Sequence, residues 1–228
     1  MAFERVDPVP VSEQVYRQLL DAIIAGDIKD KLPSERDLAA TFEVNRHAVR
    51  EAMKRLQQAN LVEINQGGAT RVLDPRERGR LDLMPDLMVH RGKVDPSVMQ
   101  AILEMRLCIG ADAARLCAER NPSVAKTLAD LAQQCHGAAR AQLIATNRKY
   151  WTVLVEGSNN IAYRLALNTL IAGLDAIADS PGGDELIGAL LDEYRRVDEM
   201  TALAEAIGAS DSDKAAALAA HLLRPAAG

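Results

Sequence analysis

Between Leu32 and Leu73 the apolar and polar positions follow two different rhythms. Val49, Met53 and Leu56 recur three or four apart, while Arg46, Arg50 and Lys54 recur every fourth residue on another side. That spacing predicts one helix from Arg46 to about Asn60, with an apolar face turned inward and a basic face turned out. Leu61 to Ile64 and Thr70 to Leu73 alternate instead, and Asn65-Gln66-Gly67-Gly68 between them supplies turn residues, so a two-stranded hairpin follows the helix. Leu38, Ala39 and Phe42 form the apolar side of a short helix ahead of it, capped by Ser34 with Asp37 three residues on. Asn45 closes the intervening turn and is suited to cap the long helix, which leaves Asn45, Arg46 and His47 at a helix N-terminus that favours phosphate.

The same reading extends in both directions. Met1 to Pro10 is a short arm, and Val11 to Ala25 is a helix with Val15, Leu19, Ala22 and Ile23 on one face and Ser12 as its N-cap. Asp74 to Arg80 is charged and contains Pro75 and Gly79, the composition of a linker. Beyond it the pattern is helical: Leu81 to His90, Pro96 to Glu119, Ser123 to about Ile144, Arg148 to Gly157, Asn160 to Ala178, Glu185 to Ile207 and Asp213 to Leu223. The long helix from Pro96 places Val98, Ile102, Met105, Ile109, Ala113 and Leu116 toward a core, and no strand pattern is read in this half. The expected fold is mainly α. Residues 1–73 make a winged helix-turn-helix with a two-stranded wing, 74–80 a linker, and 81–228 an antiparallel all-helical bundle.

Composition narrows the function more than the fold. The chain has 228 residues, 48% of them hydrophobic, enough for two packed domains. Its net charge of −5 and the excess of acids over bases in residues 1–75 exclude bulk attraction to nucleic acid, so any DNA binding rests on local arrangement. Residues 46–55 supply it, with Arg46, Arg50, Lys54 and Arg55 against Glu51; the competing reading of that window is a solvated charged face. No apolar run reaches the roughly 18 residues of a membrane helix, and the start lacks the regions of a signal peptide, so a cytoplasmic protein without membrane association is expected. Cys108, Cys117 and Cys135 are too scattered for a disulfide framework or zinc cluster and are expected reduced and buried. No nucleophile with a base, paired carboxylate or phosphate loop assembles, which argues against an enzyme.

Leu32-Pro33-Ser34-Glu35-Arg36-Asp37-Leu38-Ala39, Val44-Asn45-Arg46, Val49-Arg50-Glu51-Ala52 and Arg55-Leu56, followed by the glycine-containing wing, resemble the GntR family of bacterial transcriptional regulators. The helical half is similar to the FCD domain of the FadR subfamily. The resemblance implies that Arg36 contacts backbone or a base edge and that Arg46 and Arg50 read the major groove. Asn45, His47 and Lys54 would flank them, and Gly67, Gly68 and Thr70 would place the wing. Asn45 and His47 depart from the family's usual Ser or Thr, which implies altered base preference. Gly26 to Lys31 lacks the family's Pro-Gly pair, which concerns the exit of the first helix.

Many FCD domains hold a metal through one Asp and three His. The matching positions here are Asn147, Trp151, Met200 and His221, a set that cannot hold zinc, nickel or manganese, so no metal and no cofactor is expected. Loss of the ligands resembles the fatty-acid-responsive members, which implies an acyl-CoA or small carboxylate effector in an apolar pocket. Its candidates are Arg106, Tyr150, Trp151, Tyr194, Met200 and His221. An interhelical salt bridge is the alternative for Arg106, and ordinary core packing for Trp151 and Met200. His90 and His136 are read as surface residues. The sequence thus reads as a homodimeric repressor of a metabolic operon, binding double-stranded operator DNA and released by a small molecule. Two alternatives remain: a constitutive DNA-binding dimer without effector, and a winged-helix interaction module joined to a degenerate metal-enzyme-like bundle.

Overall fold

The computed structural model describes residues 9–64, 70–91, 93–178, 180 and 183–224. It divides into two compact units, Met1–Leu83 and Met84–Gly228.

In the first unit, α1 (Val11–Ile24) buries Val15, Leu19 and Ile23 against Val49, Ala52, Met53 and Leu56 of α3 (Arg46–Gln58), both stripes following the helical period. Between them α2 (Glu35–Thr41) adds Leu38 and Ala39. The N-cap of α1 is Pro10, whose carbonyl accepts from Glu13 and Gln14, so the helix begins before the expected cap at Ser12. Its exit needs no proline. Gly26 takes φ +73°, its N–H bonds the Ile23 carbonyl, and the Asp27 N–H bonds Ala22, which closes the helix in a Schellman motif.

β1 (Val62–Glu63) and β2 (Arg71–Val72) form the antiparallel wing, in the register Val62 to Val72 and Glu63 to Arg71. The chain before α2 joins its outer edge: the Leu32 N–H donates to Thr70 and the Val72 N–H to Asp30, each at 2.9 Å. The segment expected as a linker carries one helical turn, α4 (Pro75–Arg78), capped by Asp74.

The second unit is a helical bundle: α5 (Met84–Met88), α6 (Pro96–Arg120), α7 (Ala125–Gln134), α8 (Arg140–Gly157), α9 (Ile161–Ala178), α10 (Gly183–Tyr194), α11 (Val197–Gly208) and α12 (Ser212–Leu223). Its core runs through Ala113 and Cys117 of α6, Leu128 of α7, Leu143 and Leu154 of α8, Leu203 and Ile207 of α11 and Ala215 and Ala219 of α12. Gly110 is what lets α12 close on α6: a Cβ there would stand 2.2 Å from Leu223 Cδ1.

Three local expectations change. A small hairpin, β3 (Val89–His90) with β4 (Lys93–Val94), replaces the end of the helix expected to reach His90; Arg91 sits in its turn at φ 50°. The helix expected from Ser123 to about Ile144 stops at Gln134, where Gly137 at φ +68° turns the chain before α8. The helix expected from Glu185 to Ile207 breaks between Tyr194 and Val197, because α10 packs on α8 and α9 while α11 packs on α7 and α12. One straight rod cannot meet both sets of neighbours. Cys117 and Cys135 are buried and reduced, whereas Cys108 is exposed.

Candidate nucleic-acid interface and bundle cavity

The geometry at the start of α3 follows from two side-chain caps. Ser34 Oγ accepts from the Asp37 N–H at 3.2 Å and donates to the Asp37 carboxylate at 2.7 Å, which anchors the first turn of α2. Glu43 then takes a left-handed φ of 53°, its neighbour Val44 bonds back to Ala39, and Asn45 Oδ1 accepts from the Ala48 N–H at 2.9 Å. These turns hold the N-terminus of α3 outward. At the other end Asn60 and Leu61 bond back to Gln57 and Leu56 in a second Schellman motif.

Arg36, Arg46 and His47 are exposed and make no ion pair among the described residues. Arg50 is exposed and reaches back to Glu35 of α2, Nη2 to Oε2 at 3.0 Å, and this hydrogen-bonded acid holds its guanidinium above the ordinary value. Lys54 pairs with Glu51 at 2.8 Å. Thr70 is half-buried, with its carbonyl committed to Leu32. Gly67 and Gly68 lie outside the described residues.

Charge counting along the sequence could not see which cations face the core side. Arg55 belongs to the basic window, yet it pairs with Glu13 and stacks 4.0 Å from the Tyr16 ring centroid, fastening α3 to α1. Arg71 was not singled out; it is exposed on β2, and its signal was only the alternation that placed it on the outer side of the wing.

In the second unit a cavity of about 150 Å³ opens among α5, α6, α8, α9, α10 and α12. Its lining is mostly aliphatic. Of the six residues expected at an effector pocket, Arg106, Trp151 and Tyr194 line it. Tyr150 is fully buried and donates its hydroxyl to the Met200 carbonyl at 2.8 Å, so these two meet behind the lining. Burial pushes the Tyr150 hydroxyl far up, and it stays protonated as that donor. His221 is 66% exposed, 3.7 Å from Glu199.

Arg106 meets Glu193 of α10 in a two-point pair, at 2.8 and 2.5 Å, with side chains 16% and 8% exposed. Burial alone would lower the guanidinium's pKa; the Glu193 charge and hydrogen bonds outweigh it and hold the group above its ordinary value. Nothing in the local sequence marks Glu193, which is 87 positions away. Arg148 and Asp175, also at the cavity, pair at 2.7 Å.

At the four positions where the FCD resemblance puts a metal, the donors are an amide, an indole, a fully buried thioether and an exposed imidazole. Asn147 and Trp151 line the cavity; Met200 and His221 do not. These residues do not fit a divalent ion. Among the described residues no group of three His, Cys, Asp or Glu stands close enough to hold one.

A capped, outward-facing helix behind a helix pair and in front of a strand hairpin defines a winged helix-turn-helix protein, a DNA-binding class. Residues 11–72 match the family model for bacterial regulatory proteins of the gntR family, and residues 101–224 match the FCD domain. The chain belongs to the GntR family, as an FCD-type transcriptional regulator. It is 35% identical over 229 residues to the HTH-type transcriptional regulator Mce2R of Mycobacterium tuberculosis, covering 98% of this chain and 92% of that one. It is 30% identical over 228 residues to the HTH-type transcriptional repressor NanR of Cronobacter sakazakii, covering 93% and 82%. A solved structure described as Lar, which controls expression of the Listeria monocytogenes agr system, superposes with a TM-score of 0.58 at 13% identity, covering 96% and 95%.

Proposed function

We propose that the protein is a homodimeric repressor that reads a two-half-site operator with α3 and is released when a small molecule enters the bundle cavity. The observation that carries the DNA reading is the N-terminus of α3: Asn45 caps it, and the side chains of Arg46 and His47 stand exposed beside it with no hydrogen bond or ion pair among the described residues. Arg46 and Arg50 would take guanine edges in the major groove, each good bidentate contact discriminating by about 1 to 3 kcal/mol. Arg36, Lys54 and the wing residues Gly67, Gly68 and Thr70 would hold the backbone, and Arg50 would exchange Glu35 for DNA.

Two lines support a dimer. One short reading helix covers too few base pairs for useful specificity, and two half-sites multiply the ratio. On α9, Ile161 and Leu165 lie one turn apart and are 73% and 58% exposed. That helix has the length and mean hydropathy of a membrane span, 18 residues at 1.3, yet it packs on α5, α8 and α10 and lines the cavity. A second copy is the cover that fits its exposed stripe. Repression follows the printed role of the NanR relative. Release requires a ligand that binds the DNA-free arrangement more tightly than the bound one.

A gel-shift assay on the DNA upstream of the protein's own reading frame tests the reading. Arg46→Ala and Arg50→Ala should each remove the shifted band while far-UV circular dichroism stays unchanged. A band that persists in both variants refutes the assignment of α3.

A further inference from the structure

The cavity's charges are already spoken for. Of the charged residues that line it, Arg106 is closed by Glu193 and Arg148 by Asp175. At Arg106 a carboxylate would have to displace Glu193 and leave a second carboxylate buried without a partner, and at Arg148 it would compete with Asp175 in an exposed pair that solvent already screens. The groups left over are neutral. Trp151 is 7% exposed and lines the cavity, and its buried Nε1–H has no hydrogen-bond partner. Asn147, 4% exposed, precedes it by one helical turn on the same face of α8, and its side-chain amide makes no hydrogen bond among the described residues. Buried donors in native proteins are satisfied by protein, water or ligand, so the unpartnered Trp151 N–H, with the Asn147 amide on the same helix face, marks where a polar atom belongs.

We propose that the cavity takes an uncharged, mostly hydrocarbon molecule with one hydrogen-bond acceptor, a ketone, ester or hydroxyl oxygen seated against Trp151 and Asn147, in preference to a carboxylate. This rests on the reading of the bundle as an effector domain and narrows the effector's class. A volume of about 150 Å³ suits a six-membered carbon ring with a short substituent. The aliphatic side chains of Ile102, Leu170 and Leu223 supply its walls. The indole N–H donates to the oxygen, and the amide has both a donor and an acceptor for it. Glu193 occupies Arg106 as a ligand carboxylate otherwise would.

Trp151 is the chain's single tryptophan, so its emission reports occupancy directly. The full-length protein is titrated, without DNA, with cyclohexyl methyl ketone, its near-isostere cyclohexanecarboxylate, and isopropylcyclohexane. The ketone should give a saturable change in emission. The hydrocarbon should bind about three- to tenfold more weakly, the range of one net hydrogen bond, and the carboxylate at least tenfold more weakly than the ketone. Trp151→Phe, followed by calorimetry, should lower ketone affinity about three- to tenfold and leave hydrocarbon affinity unchanged. Glu193→Gln frees Arg106 and should raise carboxylate affinity at least tenfold, a gain that a misfolded variant would not show. Carboxylate binding to the unaltered protein as tightly as ketone overturns the proposal, as does an emission unmoved by all three probes. Ketone binding that leaves the operator complex intact upholds the ligand class and defeats the release mechanism instead.

Discussion

Removing Arg106 alone should be far more damaging than removing it together with its partner. Arg106 and Glu193 are 16% and 8% exposed and bonded at two points, so Arg106→Met strands a carboxylate in a nearly dry site. Breaking a buried pair from one side costs about 3 to 5 kcal/mol, and the residual exposure of Arg106 at the cavity places this case near 3. Replacing both residues, as Arg106→Met with Glu193→Leu, removes the two desolvation penalties along with the attraction and should return stability to within about 1 kcal/mol of the unaltered protein. Urea unfolding followed at Trp151 reports the second unit alone, since the only tryptophan lies there. With a urea slope of about 1 to 3 kcal/mol per molar, the single variant should move the midpoint down by roughly 1 to 3 M and the double variant by no more than about a third of that. A single substitution costing less than about 1 kcal/mol would show that solvent screens the pair. A double variant as unstable as the two singles combined would show that the residues act independently, and either result refutes the argument from a closed charge pair.

Other expectations test the remaining geometry. Asn45→Ala removes the acceptor for the Ala48 N–H and should cost about 1 kcal/mol of stability in the first unit, read as faster hydrogen exchange at the start of α3, together with weaker operator binding. Burial pushes the Glu13 carboxyl up, but hydrogen bonds and charge from Arg55 and Arg17 outweigh it and hold it below its ordinary 4.5. Its stabilising contribution is therefore whole above the unfolded value and fades as pH falls through the lower folded one; Glu13→Gln should flatten the acid dependence of α1 exchange below about pH 4.5. Gly110→Ala puts a methyl against Leu223 and should destabilise the bundle by about 1 to 3 kcal/mol, with Leu223→Ala in the same chain recovering part of it in the urea assay.

The winged helix was legible because its determinants are local. Caps at Ser34 and Asn45, the fourfold spacing of Arg46, Arg50 and Lys54, and the alternation around residues 65–69 all act within a few turns of chain. Even there, the net charge of the window 46–55 includes Arg55, which the 3.6-residue period turns away from the basic face toward α1 and Glu13. In the bundle the signals were weaker. In the sequence Gly92 between Val89 and Val94 is a hairpin sign set against a helical pattern, and Gly137 marks the break that ends α7. The break at Arg195 and Arg196 carries no glycine or proline, so only competition between two sets of packing neighbours makes it.

By itself the sequence determined the class of protein: periodicity and capping are properties of neighbouring residues, and they specify a basic helix with a wing wherever the rest of the chain goes. Tertiary structure alone decided what the second half offers a ligand. For Arg106 the sequence leaves an effector contact and an interhelical salt bridge both open, and the partner that makes it the salt bridge, Glu193, arrives only when α10 folds back from 87 positions away. For Trp151 the sequence leaves pocket and ordinary core both open, until the helices around it leave a cavity at its face and its N–H without a partner. Charge pairing and cavity formation depend on which distant surfaces meet, and no short-range pattern encodes that.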